Sequence, residues 1–312
     1  MIAPGARVVA LRALGLGDLL TAVPALRALA RSFPGHERVL VTTPAVAPLA
    51  RHAALADRVV DGAPLAPLPA SLHGAEVVVN LHGRGPQSHR VALAARPHRL
   101  VAFANADAGV AGPTWRADEH EVARWCRLLS DSGIPADAGD LAVPPPPQPA
   151  PAVAAGATLV HPGAAAPARR WPVERWGAVV RTEVAAGGRV VVTGGPDEVE
   201  LARAVAGDLL PSEAVLAGRT DVLELAAVVA AAGRVVCGDT GVAHLATALG
   251  RPSVVLFGPV PPAEWGPPPQ PRHVALWAGH RGDPLAAEPD AGLLALGVDD
   301  VVAALGRLPA AP

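Results

Sequence analysis

Arg234-Val235-Val236-Cys237-Gly238-Asp239-Thr240-Gly241-Val242-Ala243-His244-Leu245-Ala246-Thr247-Ala248-Leu249, continuing through Gly250-Arg251-Pro252 into Ser253-Val254-Val255-Leu256-Phe257, reads as strand, glycine turn, helix and strand. Two short β-branched runs joined through a helix pair most naturally as parallel neighbours, because a parallel partner needs a crossover of a dozen or more residues. The same alternation extends in both directions. After the proline-rich run at 144–151, strands are expected at 158–161, 189–193, 234–237 and 253–257, with helices at 173–186, 197–208, 221–232 and 242–249. Before it, strands are expected at 7–12, 38–42, 58–60, 76–81 and 99–103. Leu19, Val23, Leu26 and Ala30 recur at helical spacing and predict one helix over 18–33; a second is predicted over 120–132, closed by Gly133 and Pro135. Residues 259–271 are too rich in proline for regular structure, and a last helix is expected near 299–305.

A chain of 312 residues suits two domains better than one. Pro144-Pro145-Pro146-Pro147-Gln148-Pro149-Ala150-Pro151 supports neither a helix nor a central strand and marks the boundary. The expected division is an N-terminal α/β domain over 1–143, a linker over 144–156, a second α/β domain over 157–290 and a C-terminal helical segment over 291–312. The formal charge of −2 gives no electrostatic case for nucleic acid. Every basic side chain is Arg or His; lysine is absent. Cys126 and Cys237 are too few for a disulfide framework or a zinc site. The N-terminus reads as a first strand and turn rather than a signal peptide, and no apolar run reaches the roughly 18 residues of a membrane span. A cytoplasmic location is the expectation.

Four segments carry chemistry. Leu14-Gly15-Leu16-Gly17-Asp18 follows the first strand and opens a helix. The third glycine of a dinucleotide fingerprint is missing, and the second strand ends in Thr42-Thr43-Pro44 rather than an acidic residue, so a nicotinamide cofactor is not expected. Locally, Asp18 fits a helix N-cap first and a base at the rim of an acceptor site second. His161-Pro162-Gly163-Ala164 leads to Ala168-Arg169-Arg170-Trp171-Pro172, where free amides and arginine suit an anion; the tryptophans read as packing. Thr193-Gly194-Gly195-Pro196-Asp197-Glu198 is again a strand, a glycine turn and a helix start, with Glu198 open to a ribose or base contact or to a helix-start role. In Cys237-Gly238-Asp239-Thr240-Gly241-Val242-Ala243-His244, two glycines admit a ligand to the backbone and His244 lies one turn inside the helix. Cys237 reads as a buried strand residue. No Asp-X-Asp motif, P-loop or metal-ligand cluster occurs in the sequence, so a leaving-group charge would fall to arginine, helix ends and amides.

In their order and spacing these segments resemble glycosyltransferase family 9, from Val8 to about Pro267 and most closely over 227–259. The resemblance implies a GT-B fold: two facing Rossmann-like domains with parallel sheets and a cleft between them, and a C-terminal helix returning to the first domain. It implies inverting, metal-independent transfer of a sugar, heptose by family expectation, from a nucleoside-diphosphate sugar that is ADP-linked in the family. The acceptor would be a hydroxyl of a glycan, glycolipid or secondary metabolite, with no cofactor beyond the nucleotide-sugar donor and with peripheral membrane contact allowed. Asp18 matches the family's catalytic base. His161, Gly163, Arg169, Arg170, Thr193, Gly194, Glu198, Asp239, Thr240, Gly241 and His244 fall on the donor side, with Arg169 where relatives carry a phosphate-binding lysine. Gly15, Gly17, Asn80, His82 and Arg84 fall on the acceptor side, where Asn80-Leu81-His82-Gly83 replaces an Asp-Leu-X-Gly pattern. A nucleotide-sugar 2-epimerase and a non-catalytic nucleotide-sugar-binding protein are the rival readings.

Overall fold

The computed structural model describes residues 6–311; the strand-and-turn reading of Met1 to Gly5, and Pro312, lie outside the described residues. The chain divides into two compact units, Met1–Leu141 and Ala142–Pro312, each built on a five-stranded sheet of parallel strands.

The first unit runs β1 (Arg7–Leu11), α1 (Leu16–Thr21), α2 (Val23–Ser32), β2 (Glu37–Thr42), α3 (Ala47–His52), β3 (Arg58–Asp61), β4 (Val77–Asn80), α4 (Gln87–Ala94), β5 (Arg99–Val101) and α5 (Glu121–Asp131). Its strand order is β3-β2-β1-β4-β5, with Val9 opposite both Val39 and Val78. Val8, Val9, Ala10 and Leu11 are all buried, as a central strand covered on both faces requires. The single helix expected over 18–33 is two helices meeting at Ala22. Pro24 has no N–H, and its ring would press on the Leu20 carbonyl in a continuous helix, so the turn is interrupted there. His120 caps α5 by accepting the Val122 N–H at 3.2 Å.

The second unit runs β6 (Thr158–His161), α6 (Val173–Ala185), β7 (Val190–Val192), α7 (Val199–Ala206), α8 (Val222–Ala231), β8 (Arg234–Gly238), α9 (Gly241–Ala248), β9 (Ser253–Phe257), α10 (Pro262–Trp265), β10 (His273–Trp277), α11 (Ala291–Ala295) and α12 (Val298–Arg307). The sheet order is β10-β9-β8-β6-β7. The stretch around 259–271, expected to be irregular, holds the one-turn helix α10, entered through Pro262 at its first position, where a missing N–H costs nothing. The chain joins this unit early: the Val143 N–H donates to the Ala248 carbonyl at 2.9 Å.

The closing helix is tied into its own unit. Val301, Ala304 and Leu305 of α12 enter the second unit's core with Trp171, Trp176, Val254 and Leu256. Polar ties fix the approach to α12: Trp171 Nε1 donates to the Leu296 carbonyl at 3.1 Å, and Arg175 Nη1 donates to the Leu294 and Leu296 carbonyls at 2.6 and 2.8 Å. Burial of the α12 stripe on α6 and the sheet removes the Val301 and Leu305 side chains from water, each worth about 1.5–3 kcal/mol before entropy. Trp171 and Trp176 pack edge to face at 5.0 Å between centroids. Cys126 and Cys237 are buried free thiols. Among the described residues no helix is long and apolar enough to cross a membrane.

Candidate functional site

Each sheet has one place where strand order reverses, between β1 and β4 in the first unit and between β6 and β8 in the second. Chains leaving the carboxyl ends of such strands diverge to opposite faces, and open α/β sheets bind ligands in the crevice that results. The segments after β1 and β4, and those after β6 and β8, are ones singled out by sequence.

In the first unit, Gly15 is the N-cap of α1 and Asp18 its third residue. The Asp18 carboxylate reaches back to accept the Gly15 N–H at 3.3 Å, so Asp18 is not itself the N-cap. Behind it lies Arg12, 1% exposed. Arg12 Nε donates to the Asp18 carbonyl at 2.9 Å, and Nη1 donates to the Leu81 carbonyl. Nη2 lies 3.1 Å from Asp18 Oδ1, 3.2 Å from Thr21 Oγ1 and 2.9 Å from Glu121 Oε1. Glu121 Oε1 also accepts from Trp125 Nε1 at 2.8 Å, and its second oxygen pairs with Arg124. The Arg12 guanidinium lies over the Trp125 ring, 4.8 Å from its centroid.

These neighbours divide the two carboxylates. Burial lifts the Glu121 carboxyl, but Arg12 and Arg124 outweigh burial and hold it below its ordinary range. For Asp18, burial comes first and lifts it, Arg12 lowers it and Glu121 lifts it again, leaving it above the ordinary aspartate value. A half-buried carboxylate with raised proton affinity at the carboxyl end of a central strand is suited to accept a proton. His82, after β4, is pushed down to about 4 by burial and by the Arg12 charge; its Nδ1 is buried without a hydrogen-bond partner.

Asn80 does not face a ligand. It is fully buried, donates to Ser88 Oγ at 3.0 Å and to His89 Nδ1 at 3.1 Å, and accepts the His82 N–H at 3.0 Å. His89 Nε2 in turn donates to the Phe103 carbonyl at 2.7 Å. This network corrects the expectation of an acceptor contact: Asn80 shapes the loop that displays His82. Gly85 has φ +77°, and a Cβ there would lie 2.3 Å from His89 Nδ1. Gly15 and Arg84 are exposed and Gly17 is partly so; the Arg84 carbonyl accepts from Asn105 Nδ2 at 3.1 Å.

In the second unit, Asp239 and Thr240 end the turn after β8, and Arg169 lies in a single 3-10 turn (Pro167–Arg169) after β6. Arg169 Nη1 stands 4.0 Å from Asp239 Oδ2, the outer limit of an ion pair. Asp239 is 7% exposed; burial lifts its carboxyl to about 6 against the lowering by Arg169. Arg169 Nε and Thr240 Oγ1 are buried without hydrogen-bond partners. Thr240 is the N-cap of α9 but its side chain caps nothing, so the Gly241 end keeps its amides and its positive dipole for a ligand. His244, one turn in, meets Trp265 edge to face at 5.8 Å.

Four further donor-side candidates, Thr193, His161, Glu198 and Arg170, are engaged within the protein. Thr193 is fully buried and shares a 3.1 Å hydrogen bond with His161 Nδ1; burial pushes that imidazole below its ordinary range against the Glu198 charge. Glu198 accepts the Gly195 N–H at 2.8 Å and lies over Gly163, where a Cβ would come within 2.0 Å of its Oε1. A Cβ on Gly194 would lie 3.1 Å from the Glu198 Cβ, so both glycines make room for this carboxylate. Arg170 donates to the Ala164 carbonyl at 2.9 Å and braces the loop, leaving Arg169 as the cation nearest Asp239. Among the described residues no three His, Cys, Asp or Glu side chains form a metal-holding group.

Residues 111–289 match glycosyltransferase family 9 (heptosyltransferase). Over 106 residues the chain is 32% identical to lipopolysaccharide heptosyltransferase 2 of Salmonella typhimurium, covering 33% of this chain and 30% of that protein. The match thus spans less than a third of that relative. Among solved structures, a glycosyl transferase family 9 protein from Veillonella parvula superposes with a TM-score of 0.79 at 18% identity, over 98% of both chains. The E. coli ADP-heptose LPS heptosyltransferase II does so with a TM-score of 0.75 at 20% identity, over 96% of this chain and 97% of that one. At those identities the likeness is one of fold.

Proposed function

The chain belongs to glycosyltransferase family 9, and from that premise we propose that it moves a sugar from a nucleoside-diphosphate donor to an acceptor hydroxyl, with inversion and without a metal. ADP-heptose is the proposed donor, by kinship with relatives named for heptose transfer. The acceptor is a hydroxyl of a glycan, a glycolipid or a small molecule. The observation that carries this reading is the buried, unpartnered Arg169 Nε, whose guanidinium lies 4.0 Å from Asp239 just before the uncapped start of α9. An orphaned buried donor costs about 1–3 kcal/mol, and a diphosphate would satisfy it.

In the proposed reaction the acceptor oxygen attacks the anomeric carbon opposite the diphosphate. The new C–O bond forms as the bond to the leaving diphosphate breaks, and Asp18 takes the hydroxyl proton. Arg169 and the first amides of α9 meet the charge that develops on the leaving group. His82, neutral at physiological pH, is placed to accept or donate a hydrogen bond on the acceptor side.

The test has two parts. A thermal-shift screen of ADP-, GDP-, UDP- and dTDP-sugars should show stabilisation by the ADP-linked donor, since a ligand at 100 times its Kd adds about 2.7 kcal/mol. Asp18→Asn should keep that stabilisation while transfer falls by about 10²–10⁴, in buffer containing excess chelator. Wild-type-like turnover by the variant, or a strict metal requirement, sinks the proposal.

A further inference from the structure

Arg12 has five N–H groups, and one of its nitrogens faces more acceptors than it has hydrogens. Nη2 carries two hydrogens, yet Asp18 Oδ1, Thr21 Oγ1 and Glu121 Oε1 all lie within hydrogen-bond distance of it. The shortest of the three contacts, 2.9 Å, belongs to Glu121; Asp18 and Thr21, at 3.1 and 3.2 Å, divide what is left. Glu121 is held in that place by Trp125 Nε1 and Arg124, and its side chain is 6% exposed against 30% for that of Asp18. The buried carboxylate is therefore fixed and well paired, and the half-exposed one is loosely paired.

We propose that Glu121 is a positioning residue that sets how tightly Asp18 binds a proton, by taking the better part of the Arg12 guanidinium. An aspartate paired with an arginine of its own is a weak base, because the cation stabilises the ionised form. Here the second carboxylate neutralises most of that cation and adds its own like charge. Asp18 keeps a tether that aims it and loses most of the attraction that would weaken it as a base. The charged or titratable groups in this cluster are Arg12 just after β1, Glu121 and Arg124 from α5, and His82 after β4, which burial keeps neutral. The catalytic consequence rests on the reading of Asp18 as base; the coupling itself does not.

The experiment is a ¹³C NMR titration of the Asp18 carboxyl in the full-length chain, with no ligand added and the signal assigned by its loss in Asp18→Asn. Glu121→Gln keeps an oxygen for Arg12 and removes the charge, so the Asp18 midpoint should move to lower pH. Trp125→Phe removes the competing N–H from Glu121 Oε1 and frees it for Arg12, so the midpoint should move the other way. The acidic limb of the pH–rate profile for transfer from ADP-heptose should follow both shifts. A melting temperature that falls while the Asp18 midpoint stays fixed in both variants would show Glu121 to be a structural brace only and overturn the inference. Turnover retained in Asp18→Asn would instead overturn the base reading and leave the measured coupling standing.

Discussion

At the scale of single residues, the buried Asp239 carboxyl carries a stability cost that depends on pH. Its carboxyl keeps a proton to about pH 6 when folded, against 3.8 ordinarily. Between those values the folded state binds more protons than the unfolded one, so stability falls as pH rises through the window, and the full penalty applies above pH 6. That gap corresponds to roughly 3 kcal/mol. Asp239→Asn is therefore expected to melt higher than wild type at pH 7.5, with the difference closing near pH 4. Melting curves across that pH range check it; a variant less stable than wild type at pH 7.5 would mean that the ionised carboxylate is already satisfied.

At the scale of elements, α12 is a working part of the second unit. Leu305 is 1% exposed in that unit's core, and Leu305→Ala should cost about 2–5 kcal/mol. Hydrogen exchange should rise in peptides covering β9 and β10 and stay unchanged over β1 to β5, which separates this placement from a helix docked on the first unit. Periodicity could reveal that α12 is amphipathic, but a stripe at 301, 304 and 305 carries no address; the address comes from Trp171 and Arg175 gripping the Leu296 carbonyl. Elsewhere, legibility followed chain distance. The glycine turns after β1, β6, β7 and β8 are local signals and were readable, as were all the strands except β10, an edge strand beyond a proline run. The break at Ala22 was readable in principle from Pro24. The Arg12–Glu121 pair, 109 residues apart, was not; the available hint was an arginine ending an otherwise apolar strand. Asn80 shows the opposite error, a motif position whose side chain turned inward because Ser88 and His89 met it there.

At the scale of the whole molecule, the proposal divides labour by unit: leaving-group binding on the second and proton acceptance on the first. ADP alone is then expected to slow hydrogen exchange at 162–171 and 238–244, where the amides and Arg169 would hold the diphosphate, and to leave the Gly15–Asp18 turn unprotected. Protection centred on the first unit would contradict that division.

The reversal of strand order between β1 and β4 also bears on how such a protein diversifies. Asp18 hangs from one strand end and the 81–86 loop from its neighbour. The loop is anchored below by Asn80, Ser88 and His89 and exposed at Arg84. Replacements confined to 82–84 would alter the surface offered to an acceptor without breaking a ladder hydrogen bond or touching Arg12's acceptor at Leu81. Under the proposed reaction, lineages carrying this scaffold would thus exchange one acceptor for another by drift in three residues, with Arg12, Asp18 and Glu121 inherited intact.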